Sequence, residues 1–293
     1  MELRTLRYFL AVAQEENITK AANQLHISQP SLSRQLMQME EELGVRLFIR
    51  SKHRVILTDE GRLLRRRAQE IVALAVKAEK ELAQGEETVS GEIAIGCGET
   101  KNIAFLSQLM ISFREQYPEV SFDIYTAIAD DVKERIENGI LDFGILMEPV
   151  EISKYHFIRM PLKEKWYVLM RKDCPLAEKQ SITPQDLIGV PIMIPKRQSV
   201  RNELENWFGD CYDQLDIVST YNLSYSNRSI MVENQVGVCL VHEFENNHES
   251  LCLRPINPEI SNSSVLVWKK NQIFSPAVTK FIEHVKKCNL GIN

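Results

Sequence analysis

Gln29, Ser31, Ser33 and Arg34 stand on the outward side of one short helical pattern. Each can hydrogen-bond to a base edge or a phosphate, and Pro30 is tolerated beside them in a first helical turn. Arg50, Lys52 and Arg54 follow as alternate cations in Arg50-Ser51-Lys52-His53-Arg54. That run suits a tip lying on a polyphosphate backbone, a contact that positions without specifying sequence. A second set begins at Lys196-Arg197-Gln198-Ser199, where two cations precede a helix start and favour a small anion. Thr100 and Lys101, after a strand and a turn, would form the opposite wall of such a site. The plain alternatives are a solvated helix face for the first set, solvated loop charges for the second and a helix cap for Thr100.

Catalytic and metal chemistry find no comparable support. His242-Glu243 and His248-Glu249 lack the His-Glu-x-x-His spacing, and no Gly-x-Ser-x-Gly elbow occurs. Gly96-Cys97-Gly98 lacks the third glycine of a dinucleotide fingerprint. The six cysteines form no CxxC pair, which predicts free thiols, mostly buried. We expect no metal, no cofactor and no enzyme activity.

The first set needs a helix-turn-helix to hold it. Leu3, Leu6, Phe9, Leu10 and Ala13 recur at spacings of three and four and predict one amphipathic helix. Asn17 caps a second, with Ala21, Ala22 and Leu25 inward. After a break at His26-Ile27, Ser28 caps a third that runs to Leu43, with Leu32, Leu36, Met39 and Leu43 inward. Two such helices joined by a short turn place the second in the major groove. Residues 44–58 predict two short strands around the basic tip, a β-wing.

Thr58 then caps a long helix over residues 59–83 that ends near Gly85. At 1.5 Å per residue it forms a rod of about 37 Å. Leu64, Ala68, Ile71, Ala75, Ala78 and Leu82 alternate spacings of four and three, the seam of a dimerising helix. Packing on its own chain is the alternative.

From Ser90 the period changes. Strands at 92–98, 120–125 and 142–146 alternate with helices at 102–116 and 131–138, a βαβαβ run and a parallel sheet. Its ligand edge, at the strand ends, carries Gly98, Glu99, Thr100, Lys101, Ala129 and Met147. Strands at 166–170, 191–194, 215–220, 236–241, 251–255 and 264–268 follow, with helices at 199–208, 226–234 and 276–287. Two α/β lobes with a cleft between them suit capture of a small molecule.

Composition agrees once it is read by segment. The chain has 293 residues and a formal net charge of -5, which alone argues against nucleic acid. Residues 1–67 nevertheless hold twelve Lys+Arg against eight Asp+Glu, and electrostatic footprints are local. The apolar run 71–76 is far short of the roughly 20 residues of a membrane span. The charged start MELRTLRYFL is unlike an export signal, so a cytoplasmic place is expected, without membrane contact.

The chain resembles the LysR-type transcriptional regulators over essentially its full length. The resemblance is carried by Phe9, Ala21-Ala22, Leu25, Ser28-Gln29-Pro30, Ser33, Leu43-Gly44, Leu47-Phe48, Arg50, Leu57-Thr58 and Gly61. Weaker echoes follow at Ile95-Gly96, Phe113, Tyr117-Pro118, Gly139, Leu141-Asp142, Gly144-Ile145 and Val236-Gly237-Val238. It implies an α/β chain with a winged helix-turn-helix at 1–58, a pairing helix at 59–87 and an effector domain at 88–293. That domain would resemble periplasmic solute-binding proteins, with lobe I at about 88–161 and 269–293 and lobe II at about 162–268. The implied partners are double-stranded DNA, a small-molecule effector and further copies of the chain, as a homodimer or homotetramer. The family's effector pocket falls on Thr100-Lys101, around Ile128 and Ala129, on Gln198-Ser199 and near Ser226. Two departures stand out: Glu99, where a small hydroxyl residue is often found, and Gln235, where a glycine is usual. A solute-binding protein without a DNA role, or an enzyme acting on a small anion, is the competing expectation.

Overall fold

A computed structural model describes residues 1–50, 54–83, 89–222, 224–243 and 248–290, and the chain divides into two compact units, residues 1–88 with 138–140 and residues 89–137 with 141–293. Lys52 and the helix end expected near Gly85 lie outside the described residues, as do the side chains of Arg50 and Leu82.

In the first unit, helices α1 (Leu3–Glu15), α2 (Ile18–Gln24) and α3 (Gln29–Leu43) precede strands β1 (Phe48–Arg50) and β2 (Val55–Leu57), then α4 (Asp59–Ala83). The expected caps form: the Asn17 side chain accepts from the Lys20 N–H, and Ser28 from the Ser31 N–H. α3 stops at Gly44, whose φ of +68° lies in the left-handed region open to glycine. Phe9, Val12, Ala21, Leu32, Leu36 and Met39 are fully buried in one core, where a residue such as Phe9 contributes about 2–3 kcal/mol. Leu43, expected inward, is exposed at the last residue of α3. β1 and β2 pair antiparallel as the expected wing, with Ile49 opposite Ile56.

α4 divides the positions of the expected seam. Ala68 is fully buried in the helix-turn-helix core, and Leu64 and Val72 pack against the same cluster. Those positions hold α4 to its own unit. Ile71 and Ala78 are exposed and Ala75 is half-buried, while Leu63 and Leu74, outside the expected seam, are exposed.

The second unit contains two sheets. The first uses β3 (Gly91–Cys97), β4 (Val120–Thr126), β5 (Phe143–Met147), β6 (Tyr155–Arg159) and β13 (Ser264–Lys269), in the order β4-β3-β5-β13-β6. β3, β4 and β5 are parallel as expected, whereas β13 runs antiparallel to both β5 and β6. The helices of this lobe are α5 (Ile103–Gln116), α6 (Ala129–Glu137) and the C-terminal α9 (Pro276–Leu290). Phe281 of α9 centres its core, with ring centroids 5.1–5.3 Å from Phe113, Phe122 and Phe143.

The second sheet has β7 (Glu164–Arg171), β8 (Pro191–Pro195), β9 (Asp216–Tyr221), β10 (Val238–His242) and β11 (Leu251–Pro255), in the order β11-β7-β10-β8-β9. The short β12 (Ser261–Asn262) adds to β7, and α7 (Gln198–Phe208) and α8 (Tyr225–Glu233) cover the sheet. The chain thus returns to lobe I at β13, before the 268/269 boundary expected for it. α7 starts one residue before Ser199, so Ser199 lies inside the helix and Arg197 takes the cap position.

Candidate functional site

Gln29, Pro30, Ser31 and Arg34 are exposed along the first turns of α3, and Ser33 is half-buried. In the free chain the Gln29 side-chain amide donates to Ser33 Oγ at 2.9 Å, which leaves the Gln29 carbonyl oxygen and the Ser33 hydroxyl proton open. Arg54 lies just ahead of β2, where its Nε donates to Glu16 at 2.7 Å. Both side chains are well exposed, so the pair contributes at most about 1 kcal/mol and a phosphate can displace it. Arg50 closes β1 as expected. Thr58 positions the wing against the long helix: its hydroxyl donates to the Arg46 carbonyl at 2.7 Å and accepts from the Gly61 N–H at 2.9 Å.

A cavity of about 580 Å³ opens where the carboxyl ends of the strands of the two lobes converge. Of the nine expected residues, Ile128, Lys196, Arg197 and Gln198 line it. Thr100 and Lys101 are not among its lining residues. The Thr100 hydroxyl donates to Glu164, the Lys101 N–H donates to the same carboxylate at 2.9 Å, and the Lys101 ammonium pairs with Glu243. These bonds tie β3's end to lobe II. Ala129 packs in the lobe I core, and Ser226 is exposed outside the lining. Ser199 faces a separate recess of about 480 Å³ with Asn202 and Glu203.

The lining includes residues that spacing alone did not single out: Trp166, Tyr221, Arg228 and His242. Trp166 Nε1 donates to Asn262 Oδ1 at 2.8 Å, and the His242 ring lies 3.9 Å from the Trp166 ring. Burial pushes the His242 imidazole down to about 4, so at neutral pH it contributes a neutral ring and a hydrogen bond to Asn262. Trp166, Ile128, Val200 and Tyr221 supply apolar surface around it.

The charges of the cavity are mostly paired. Glu99 bonds Arg228 at 2.9 Å. Arg197 donates across the cleft to the carbonyls of Met147 at 3.4 Å and Pro149 at 3.2 Å, and lies 3.9 Å from Asp130. Burial lowers the affinity of Arg197 for its proton, an effect the Asp130 carboxylate opposes. The Lys196 ammonium lines the same cavity and has no hydrogen-bond or carboxylate partner among the described residues.

Among the described residues, no group of three or more His, Cys, Asp or Glu could hold a metal ion. All six cysteines are free, and burial raises the thiol of Cys239 to about 12 and that of Cys97 above its usual range. No helix among the described residues is long and apolar enough to cross a membrane.

Comparison with known proteins places both units in one family. Residues 3–62 match the family model described as a bacterial regulatory helix-turn-helix protein of the lysR family, and residues 86–288 match the LysR substrate binding domain. The Hca operon transcriptional activator HcaR of Escherichia coli (strain K12) is 31% identical over 297 residues, 98% of each chain. The activator IlvY of Salmonella typhimurium is 31% identical over 210 residues, 71% of each chain. In fold, the chain is similar to the crystal structure of CbnR, a LysR family transcriptional regulator (TM-score 0.75, 21% identity, 98% of this chain and 99% of that one). It is also similar to full-length CbnR complexed with its target DNA, with a TM-score of 0.73 at 21% identity, over 98% of this chain and 99% of that one. With its two units matched in order by the two models of one family, the chain belongs to the LysR family: it is a DNA-binding transcriptional regulator with an effector-binding domain.

Proposed function

We propose that a small organic anion in the 580 Å³ cavity controls how this regulator reads DNA. The carrying observation is Lys196, a cation with no carboxylate partner among the described residues, in a lining that also holds Trp166, Ile128 and Tyr221. An acid with an apolar body satisfies both features at once, whereas a neutral apolar molecule would leave the cation unmatched. In the first unit, Gln29, Ser31, Ser33 and Arg34 meet base edges and phosphates in the major groove, with Pro30 shaping the turn. Arg50, Lys52 and Arg54 follow the backbone beside them. The protein works in the cytoplasm as a homodimer or homotetramer and has no enzymatic role.

Pairing falls to the open face of α4. At 3.6 residues per turn, Leu63, Ile71, Leu74 and Ala78 share an arc of about 80°, distinct from the buried arc of Gly61, Leu64, Ala68 and Val72. Exposed leucine and isoleucine in such a row favour a second helix.

Trp166 reports on the cavity directly. Titration of a panel of aliphatic and aromatic monocarboxylates into the full chain is expected to give a saturable change in tryptophan fluorescence with at least one acid. Lys196→Met should weaken that binding about tenfold, the low end of a charge-assisted hydrogen bond because Lys196 is exposed. No saturable response from any acid, or equal affinity in Lys196→Met, would remove the anion from the account.

A further inference from the structure

We infer that the effector domain carries its own anion: the Glu99 carboxylate is the resident occupant of a carboxylate cradle that Arg228 and the N-terminus of α8 form on the cavity wall. Glu99 follows β3 in lobe I, and Arg228 and Tyr225 lie on α8 in lobe II. Both oxygens of Glu99 lie 2.9 Å from the Tyr225 backbone nitrogen, which donates to them, and Arg228 Nη2 donates to one of them at 2.9 Å. Ser224 caps the same helix, so the first free N–H groups and the positive end of α8 face this carboxylate. That is the set of donors with which proteins hold a free carboxylate: a guanidinium, a helix-start N–H and a favourable dipole.

Arg228 is built for an anion. It is 92% removed from solvent, lies 5.1 Å from the Tyr221 ring centroid and 5.8 Å from that of Tyr225, and its Nε is buried without a partner among the described residues. A buried guanidinium held between two rings needs an opposite charge, and the only carboxylate bonded to it among the described residues is Glu99. Glu99 itself is about a third exposed and lines the cavity, so its carboxylate can be removed without removing the donors that hold it.

The occupancy bears on ligand choice. Resting on the reading of Lys196 as the cation for the effector, it leaves Lys196 as the open charge and closes Arg228 to a bound acid. A second carboxylate on the ligand would meet Glu99 rather than Arg228, so the cleft selects one negative group over two.

Formate and acetate are small enough to replace the missing carboxylate, which makes the cradle testable without knowing the effector. In the full chain, Glu99→Ala is expected to melt at a lower temperature than the wild type. Sodium formate should restore part of the loss saturably, by about 3–5 °C at ten times its dissociation constant, when compared with sodium chloride at equal ionic strength. The wild type should show no formate-specific shift, and Glu99→Ala combined with Arg228→Met should lose the rescue. Glu99→Ser provides the same readout if the alanine variant does not fold. The proposal is overturned if neither variant shows a formate-specific shift, if the wild type shifts equally, or if rescue survives Arg228→Met. Repeating the set in a Lys196→Met background removes the open cation that formate could bind in the wild type, so failure of the cradle and failure of the anionic effector are separable.

Discussion

Replacing Gly61 with alanine is expected to destabilise the reading unit by about 2 kcal/mol and to lower its melting transition by about 10 °C, leaving the effector unit in place. Gly61 sits in the first turn of α4, where a Cβ would come within 2.2 Å of the Leu47 carbonyl oxygen and 2.9 Å of Leu57 Cδ2. The first of these is backbone and cannot rotate away, so the helix or the wing must move. Alanine gains at most about 1 kcal/mol of helix propensity over glycine, less than a clash of about 3 kcal/mol costs. The functional consequence follows from Thr58, which bonds both Gly61 and Arg46 and so ties the wing to α4. Calorimetry on the full chain should show one transition displaced and the other unchanged, and operator affinity should fall with the first. Unchanged melting in Gly61→Ala would refute the close packing of α4 against Leu47.

Phe281→Ala acts on the other unit and has the larger expected effect, a loss of about 3–5 kcal/mol. Phe281 is fully buried where α9 returns to the first sheet, and it meets Phe113, Phe122 and Phe143 together. Truncation leaves a cavity among three rings, all fixed by separate elements that cannot collapse into it. Phe281→Leu keeps most of the volume and should cost less than about 1.5 kcal/mol. Denaturant titration followed by the melting of the effector unit would measure both. Equal effects of the two substitutions would show that the site repacks.

Local signals account for what was legible in the sequence. Asn17, Ser28 and Thr58 are capping residues at the starts of apolar periods, and each side chain accepts the backbone N–H expected of it. The βαβαβ run from β3 to β5 was legible for the same reason, since strand and helix periods alternate there. Partnership over long separations was not. The stripe on α4 shows which positions are apolar, but Leu64 and Ala68 are claimed by the helix-turn-helix core, which no period reveals. β6, Tyr155-His156-Phe157-Ile158-Arg159, mixes exposed and buried positions without regular alternation, and so gives no strand signal.

The cleft shows the same limit more sharply. Lys196, Arg197 and Gln198 are adjacent in the chain, and their chemistry could be read directly. Glu99 and Arg228 meet across 129 positions, and Trp166, His242 and Asn262 come from three separate strands. Thr100 and Lys101 have the right chemistry for a ligand, and their partners Glu164 and Glu243 lie far along the chain, where no local signal announces them.

The most direct test of the central claim, that the cleft governs the reading of DNA, is a nuclease footprint of the full chain on its operator. It should be made with and without the monocarboxylate that alters Trp166 fluorescence. The account predicts that the acid changes the extent or spacing of protection for the wild type, and that Lys196→Met gives its ligand-free footprint at acid concentrations that saturate the wild type. An identical wild-type footprint with and without a demonstrably bound acid would contradict it.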